Sequence, residues 1–258
     1  MIQEINDIRD NFKENVSSVY KLMNFDDIIQ SFCLKALEKA ERGLKKFGAE
    51  KHPSFSVEQD TKNIRNIRAN KSLRSSYEVM FNQCVVLLVS YFGSAIEDIF
   101  QFSLTYKIKN GQLNKLGKEG IKISLNELQE IDFNVLDNIG QIIVVKKDIS
   151  FQNMQSIARE VNNYFGFEPA KDKNVNNIIL SQACRHSIVH SAGVINDKIA
   201  KQISSAKPRD LKQELKAKDK VLFNPDEIKI IAESMFHYID KLVKGLNKQF
   251  ESISESLS

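Results

Sequence analysis

The sequence predicts an all-α protein, an up-and-down bundle of about six to nine helices. Apolar residues recur at spacings of three and four over long segments, which is the period of helices buried on one face. Glycine and proline, which interrupt helices, number only 10 and 4 among 258 residues. A content of 42% hydrophobic and 27% charged residues is typical of a soluble globular protein rather than a disordered one. We therefore expect a single all-α domain over residues 1–258.

The first half of the chain is predicted to contain four helices. Residues 2–23 and 24–47 have helical spacing and are expected to form an N-terminal hairpin within 1–48, ending at Gly48. A polar helix is predicted over 57–70. The long apolar segment 72–110 is predicted to be the central helix of a core that spans 73–255.

Shorter helices are predicted in the second half, over residues 124–131, 134–147, 150–165, 174–192 and 196–205. The run Ile142-Ile143-Val144-Val145 has strand propensity, but we expect a helix because no partner strand is evident. A basic linker containing Pro208 follows. Asn224-Pro225-Asp226-Glu227 combines a capping residue, a first-turn proline and two acids, and predicts the start of a last helix running to about Ile253.

Composition also bears on the compartment of the protein. The three cysteines, Cys33, Cys84 and Cys184, are far apart and lie inside predicted helices, which fits reduced, buried thiols better than disulfides. No signal peptide is evident, and the longest apolar run, Cys84 to Ile96, is too short to cross a bilayer. We expect a cytoplasmic protein without membrane contact.

The most informative stretch is Gln182 to Gly193, which places two of the four histidines beside an arginine in an apolar helix. At about 100° per residue, His186 and His190 share one face, whereas Arg185 lies about 140° around the helix from His190. Small and apolar residues form another face, and Gly193 is expected to end the helix. If Arg185 and His190 act on one phosphate, two crossing helices in a two-fold dimer are the simplest arrangement.

The pattern Arg185-x4-His190, followed by Ser191-Ala192-Gly193, resembles the R-x4-6-H signature of the HEPN superfamily. The resemblance implies an all-α, metal-independent endoribonuclease without a cofactor, whose two motifs meet at a homodimer interface. It implies a toxin or defence effector that cuts RNA, with an antitoxin or regulatory protein as a further partner. Branches paired with nucleotidyltransferase antitoxins have a Tyr where this chain has Ala192, so that partner is not predicted.

The resemblance also implies roles for individual residues. His190 would be general base or acid, Arg185 would hold the scissile phosphate, and His186 would be a second proton carrier or a phosphate donor. Glu97, in the run Ser94 to Asp98, is similar to an acidic position on an early helix of several HEPN families. The resemblance implies that Glu97 orients Arg185 or His190, and an exposed carboxylate is the alternative interpretation.

Other interpretations of the motif remain open. Arg185 and the histidines could be a buried group satisfied by neighbouring carbonyls. His186 and His190 have the spacing of zinc ligands, but no Glu follows His186 and no third ligand is evident, so no metal is expected. The helix could merely dimerise through its small residues. Finally, the chain could be a non-catalytic HEPN-like module that binds RNA, a nucleotide or a protein.

Two basic segments could contact RNA. Lys62, Arg65 and Arg68 recur every three residues on the predicted 57–70 helix and could follow a phosphate backbone. The linker between 207 and 220 could direct RNA to the cleft. A solvated surface is the alternative interpretation of the first, and a mobile solvated loop of the second. The net charge of +4 permits an anionic partner without requiring one.

Overall fold

A computed structural model describes residues 2–47, 57–73, 78–112, 117, 120–168 and 171–257. The chain is all-α, as predicted: 75% of it is helical. In the described ranges we number ten helices: α1 (Ile2–Met23), α2 (Phe25–Lys46), α3 (Val57–Asn70), α4 (Glu78–Lys109), α5 (Leu125–Glu130), α6 (Ile139–Lys146), α7 (Met154–Phe165), α8 (Lys173–His190), α9 (Asp197–Ser205) and α10 (Pro225–Leu257). The predicted hairpin end at Gly48 lies outside the described residues.

Helix α4 is the centre of the bundle and packs against α1, α6, α8 and α10. Its apolar residues fall on more than one face, so neighbours can surround it. Phe92 is fully buried at its middle, and its ring meets Phe12 of α1 at 6.4 Å and Tyr238 of α10 at 5.7 Å in edge-to-face geometry. These three helices therefore share one aromatic core.

By length and composition, α4 could cross a membrane, with a mean hydropathy of 1.7 in its most apolar stretch. However, 56% of that stretch is buried inside the bundle. The segment is a core helix of the kind that soluble proteins also contain, in agreement with the expected central role of residues 72–110.

The two N-terminal helices do not pair as the sequence suggested. Helix α1 packs mainly on α4 and α10 and only slightly on α2, whereas α2 packs on α3. An ion pair of 3.0 Å between Glu38 and Arg65 links α2 to α3. The hydrophobic stripe of α1 is buried by the central bundle, because Ile5, Phe12 and Val19 are each at most 1% exposed.

The helix boundaries test several local predictions. Asn224 caps α10 through hydrogen bonds from the N–H groups of Asp226 and Glu227, each 3.0 Å, as predicted. The run Ile142 to Val145 lies inside α6 and is helical, also as predicted. Helix α7 begins at Met154 rather than at the predicted residue 150, because the side chain of Asn153 accepts from Ser156 N–H at 2.8 Å and caps the helix there.

Candidate functional site

The motif helix is α8, which carries Arg185, His186 and His190 near its C-terminal end. Asp172 caps its start, because the Asp172 side chain accepts a 3.0 Å hydrogen bond from Val175 N–H. Partial burial alone would raise the pKa of Asp172, but hydrogen bonds from Val175 and Lys241 hold that pKa below its usual value. The helix ends at His190, and Gly193 follows with φ of 81°, a left-handed conformation suited to glycine.

The helix end is attached to a distant segment. Val221 N–H donates to Gly193 O at 2.8 Å, and Ile195 N–H donates to Asp219 O at 3.0 Å. Val194 and Lys220 form an isolated antiparallel bridge. The histidines therefore lie beside a fixed turn rather than on a fraying helix end.

The small and apolar face of α8 is buried within the chain. Leu180, Ala183, Cys184 and Ser187 are at most 3% exposed, because α8 packs against α4, α7, α9 and α10. This face cannot form a dimer interface, since the protein's own helices cover it. The interpretation of α8 as a helix that dimerises through its small residues is therefore wrong.

The two histidines lie together on the outward face, as the helical period predicted. Both side chains are exposed, and their ring centroids are 4.7 Å apart with an interplanar angle of 49°. Imidazole can accept or donate a proton near neutral pH. An exposed pair at this distance can place a proton acceptor and a proton donor on one bound group.

Arg185 is half-buried, and its Nε is buried without a hydrogen-bond partner. The guanidinium forms no ion pair with the described residues either. A buried donor without an acceptor costs about 1–3 kcal/mol, so such groups usually have a partner or a function. The interpretation of Arg185 as a core residue satisfied by carbonyls does not hold.

The carbonyl-satisfied arginine is instead Arg209, which is 4% exposed. Its guanidinium donates to the carbonyl oxygens of Leu211 at 2.9 Å, Ile203 at 2.6 Å, Ala206 at 3.0 Å, Lys212 at 2.8 Å and Gln213 at 3.4 Å. Arg209 thus holds the turn after α9 in shape. Our sequence reasoning counted it as one more cation of a basic linker, although its position beside Pro208 in a helix-free segment was a signal of a structural role.

Several cations of the linker between residues 206 and 224 have partners within the protein, so the linker is not a continuous basic surface. The guanidinium of Arg209 donates to backbone carbonyls. Lys212 forms an ion pair with Glu227 at 2.9 Å and also donates to Leu222 O at 2.5 Å. Four lysines of this segment are exposed: Lys207, Lys216, Lys218 and Lys220. These four are the cations of the linker that could meet RNA.

Glu97 makes its hydrogen bond within its own helix. Gln101 Nε2 donates to Glu97 Oε1 at 3.0 Å, and no bond joins Glu97 to Arg185 or His190. Partial burial and the neighbouring carboxylate of Asp98 raise the pKa of Glu97, against the effect of Gln101. An orienting role for Glu97 at the motif remains a prediction.

The basic series Lys62, Arg65 and Arg68 lies on α3, which packs on α2 and does not join α8. All three side chains are exposed, and Arg65 is paired with Glu38. Lys62 and Arg68 are therefore better placed than Arg65 to contact an external phosphate.

Buried polar residues that the sequence analysis did not single out hold α8 in place. Asn177 is fully buried, donates to Ser234 Oγ of α10 at 3.2 Å and accepts from Asp210 N–H at 3.0 Å. Gln182 Oε1 accepts from Met154 N–H at 2.9 Å and so caps the start of α7. The run Asn174 to Asn177 was a visible signal, because asparagine is a poor residue for a helix interior.

Among the described residues, no cluster of three or more His, Cys, Asp or Glu side chains could hold a metal ion. Cys184 lies beneath the motif, where burial raises its pKa to about 12. A thiol with so high a pKa is a poor nucleophile. Cys184 is therefore not a candidate nucleophile beneath the motif.

Comparison with protein-family models, with curated proteins and with solved structures gives no match for this chain. The HEPN resemblance thus depends on the motif Arg185-x4-His190 and on its place in a helical chain. Any inference about function therefore depends on the geometry of Arg185, His186 and His190.

Proposed function

We propose that this protein is a metal-independent endoribonuclease of HEPN type that cleaves RNA by attack of the ribose 2′-hydroxyl. One observation carries the proposal. Two exposed imidazoles with ring centroids 4.7 Å apart lie on the same helix as an arginine whose buried Nε–H has no acceptor. The outer part of the half-buried Arg185 side chain would bind a phosphate oxygen, and the imidazoles would accept and donate the protons of the reaction.

The roles of the side chains follow from their chemistry. His190 accepts the proton of the 2′-hydroxyl as its oxygen attacks phosphorus, and His186 donates a proton to the leaving 5′-oxygen. Arg185 holds the non-bridging phosphate oxygens and stabilises the charge that develops on them. The products are a 2′,3′-cyclic phosphate and a free 5′-hydroxyl.

A homodimer through α8 would bring two copies of this site together. The outward strip of α8 left after intramolecular packing contains His186, His190 and Val189, which is 47% exposed. A two-fold axis close to Val189 would face Arg185 of one copy toward the histidines of the other. This arrangement would bring Arg185 and His190 to one phosphate, although the two residues lie on different sides of a single helix.

The decisive experiment is an RNA cleavage assay in EDTA with unstructured and hairpin RNAs. We expect cleavage that leaves 2′,3′-cyclic or 3′-phosphate ends and fails on substrates without the 2′-hydroxyl. The His190→Ala change should lower the rate by roughly 100-fold or more while RNA affinity is retained. Arg185→Lys should also impair cleavage, because ammonium lacks the planar grip of guanidinium.

His237→Ala is the matched control, because His237 is an exposed histidine on α10, outside the motif. It should cleave as the wild type does. Metal-dependent cleavage or a fully active His190→Ala protein would refute the mechanism. If no RNA is cleaved, the motif is better interpreted as part of a non-catalytic module that binds RNA, a nucleotide or a protein.

The family resemblance extends the proposal to biology. It supports a cytoplasmic toxin or defence effector whose activity an antitoxin or regulatory protein restrains. Expression in a bacterial host tests this extension: wild-type protein should arrest growth, and the His190→Ala protein should not.

A further inference from the structure

Helix α2 has its apolar side turned toward solvent. Phe25, Ile28, Ile29 and Phe32 are 53%, 52%, 44% and 71% exposed, respectively. Their spacing of three, four and seven residues places them in one stripe along the helix. We call these four residues the α2 stripe.

The opposite side of the same helix is the buried one, although it is more polar. Asp26, Gln30 and Leu34 recur every four residues and are at most 9% exposed, because this side faces α3. A helix normally buries its apolar face and exposes its polar face. The reversed orientation of α2 is expected if a second surface covers the stripe.

The order of residues in the stripe identifies a second copy of the chain as that surface. The order of residue types is the same from either end of the segment Phe25-Asp26-Asp27-Ile28-Ile29-Gln30-Ser31-Phe32. Each end has Phe, then two polar residues, then Ile. When two such helices lie antiparallel around a two-fold axis, Phe25 meets Phe32 of the other copy and Ile28 meets Ile29. A two-fold interface requires a self-complementary surface of this kind.

The size of the stripe also suits a dimer contact. With about 200 Å² presented by a fully exposed side chain of this size, the four residues leave roughly 400 Å² of apolar surface per copy. A stable interface buries about 800 Å² per partner and is a little over half apolar. A groove of about 430 Å³, lined by Asn24, Asp27, Ile28, Ser31, Phe32 and Lys35, runs along the stripe.

From these observations we propose that two copies of the chain associate through antiparallel α2 helices, with Phe25 against Phe32 and Ile28 against Ile29. This contact does not depend on the proposed ribonuclease activity. It also uses a different surface from the α8 dimer, because α2 packs on α3 and α1 while α8 packs elsewhere in the bundle. If both two-fold contacts form around perpendicular axes that intersect, the assembly is a closed tetramer.

The test is sedimentation equilibrium of the full-length protein with a pair of charge variants. Ile28→Asp alone should raise the dissociation constant of the α2 contact by about 100-fold or more, because it places an unpaired charge in an apolar interface. Adding Ile29→Lys should restore association, since each new aspartate then meets a new lysine in the stated register. The restored contact should weaken with salt.

Leu125→Asp is the matched control, because Leu125 is 77% exposed on α5, outside the stripe. It should associate as the wild type does, and circular dichroism should show that all the variants are folded. A monomeric wild type would overturn the proposal, as would an Ile28→Asp protein that associates normally. If Ile28→Asp dissociates but the double variant stays dissociated, the antiparallel register is wrong.

Discussion

Two arginines, Arg185 and Arg209, allow a direct test of whether the motif is built for binding or for stability. Both contain buried guanidinium atoms, but Arg209 donates to five carbonyl oxygens, whereas Arg185 Nε has no partner. Methionine replaces either side chain with a flexible apolar one and removes the charge. We therefore expect Arg209→Met to lower the free energy of unfolding and Arg185→Met not to lower it.

The expected magnitudes follow from these bonds. Arg209→Met leaves several buried carbonyls without a donor and should lower the free energy of unfolding by about 3–5 kcal/mol. Arg185→Met removes an unsatisfied buried donor whose cost is about 1–3 kcal/mol. Its free energy of unfolding should stay the same or rise by about 1 kcal/mol, while RNA cleavage is lost. Stability given up for function is common at active sites.

Urea unfolding followed by far-ultraviolet circular dichroism measures both values under one set of conditions. The two variants should differ by about 3 kcal/mol or more. If Arg185→Met is destabilised as much as Arg209→Met, Arg185 is a structural residue and the proposed binding role is wrong. If Arg209→Met unfolds like the wild type, the turn after α9 does not depend on its guanidinium.

Three further predictions concern the start of α8, the contact between α6 and α4, and the basic residues of α3. Asp172→Ala should lower the free energy of unfolding by about 1 kcal/mol through loss of the α8 cap. The pKa of Asp172 is lower in the folded protein than in the unfolded chain. The stability difference between the wild type and Asp172→Ala should therefore be present at pH values above the unfolded-state pKa. It should vanish from denaturation curves as the pH falls through the folded-state pKa. Gly140→Ala should cost about 1–3 kcal/mol in a thermal or urea melt, because the new methyl would collide with the carbonyl oxygen of Gln101 in α4. Lys62→Ala and Arg68→Ala should each reduce by about one the slope of RNA affinity against salt concentration on logarithmic axes, and an unchanged slope would show that α3 does not meet RNA.

The fixed frame of α8 explains how an exposed site can still be ordered. Asn177 joins α8 to α10 and to the turn after α9, and Gly193 joins its end to Val221. Both links reach segments far along the chain. Catalytic groups need positions that are held by such surroundings, because small displacements reduce the rate strongly.

Much of the local structure was predictable because it depends on residues close together in sequence. The period of the helix places His186 and His190 on one face and the small residues of α8 on another, and both predictions are confirmed. The Asn-Pro-Asp-Glu start of α10 is confirmed for the same reason, since a cap bonds within one turn. Helix period and capping chemistry require no knowledge of the partner helices.

Contacts between distant segments could not be predicted from these rules. The sequence shows that α2 is amphipathic, but only the packed chain shows that Asp26, Gln30 and Leu34 face α3 while Phe25 and Phe32 face outward. Arg185 and Arg209 likewise look alike as basic residues. Five carbonyls, four of them on the turn around Arg209 and one at the end of α9, surround one guanidinium, whereas none reaches Arg185 Nε. Tertiary packing decides which polar groups find partners, because hydrogen bonds depend on distances in space that helix periodicity does not determine.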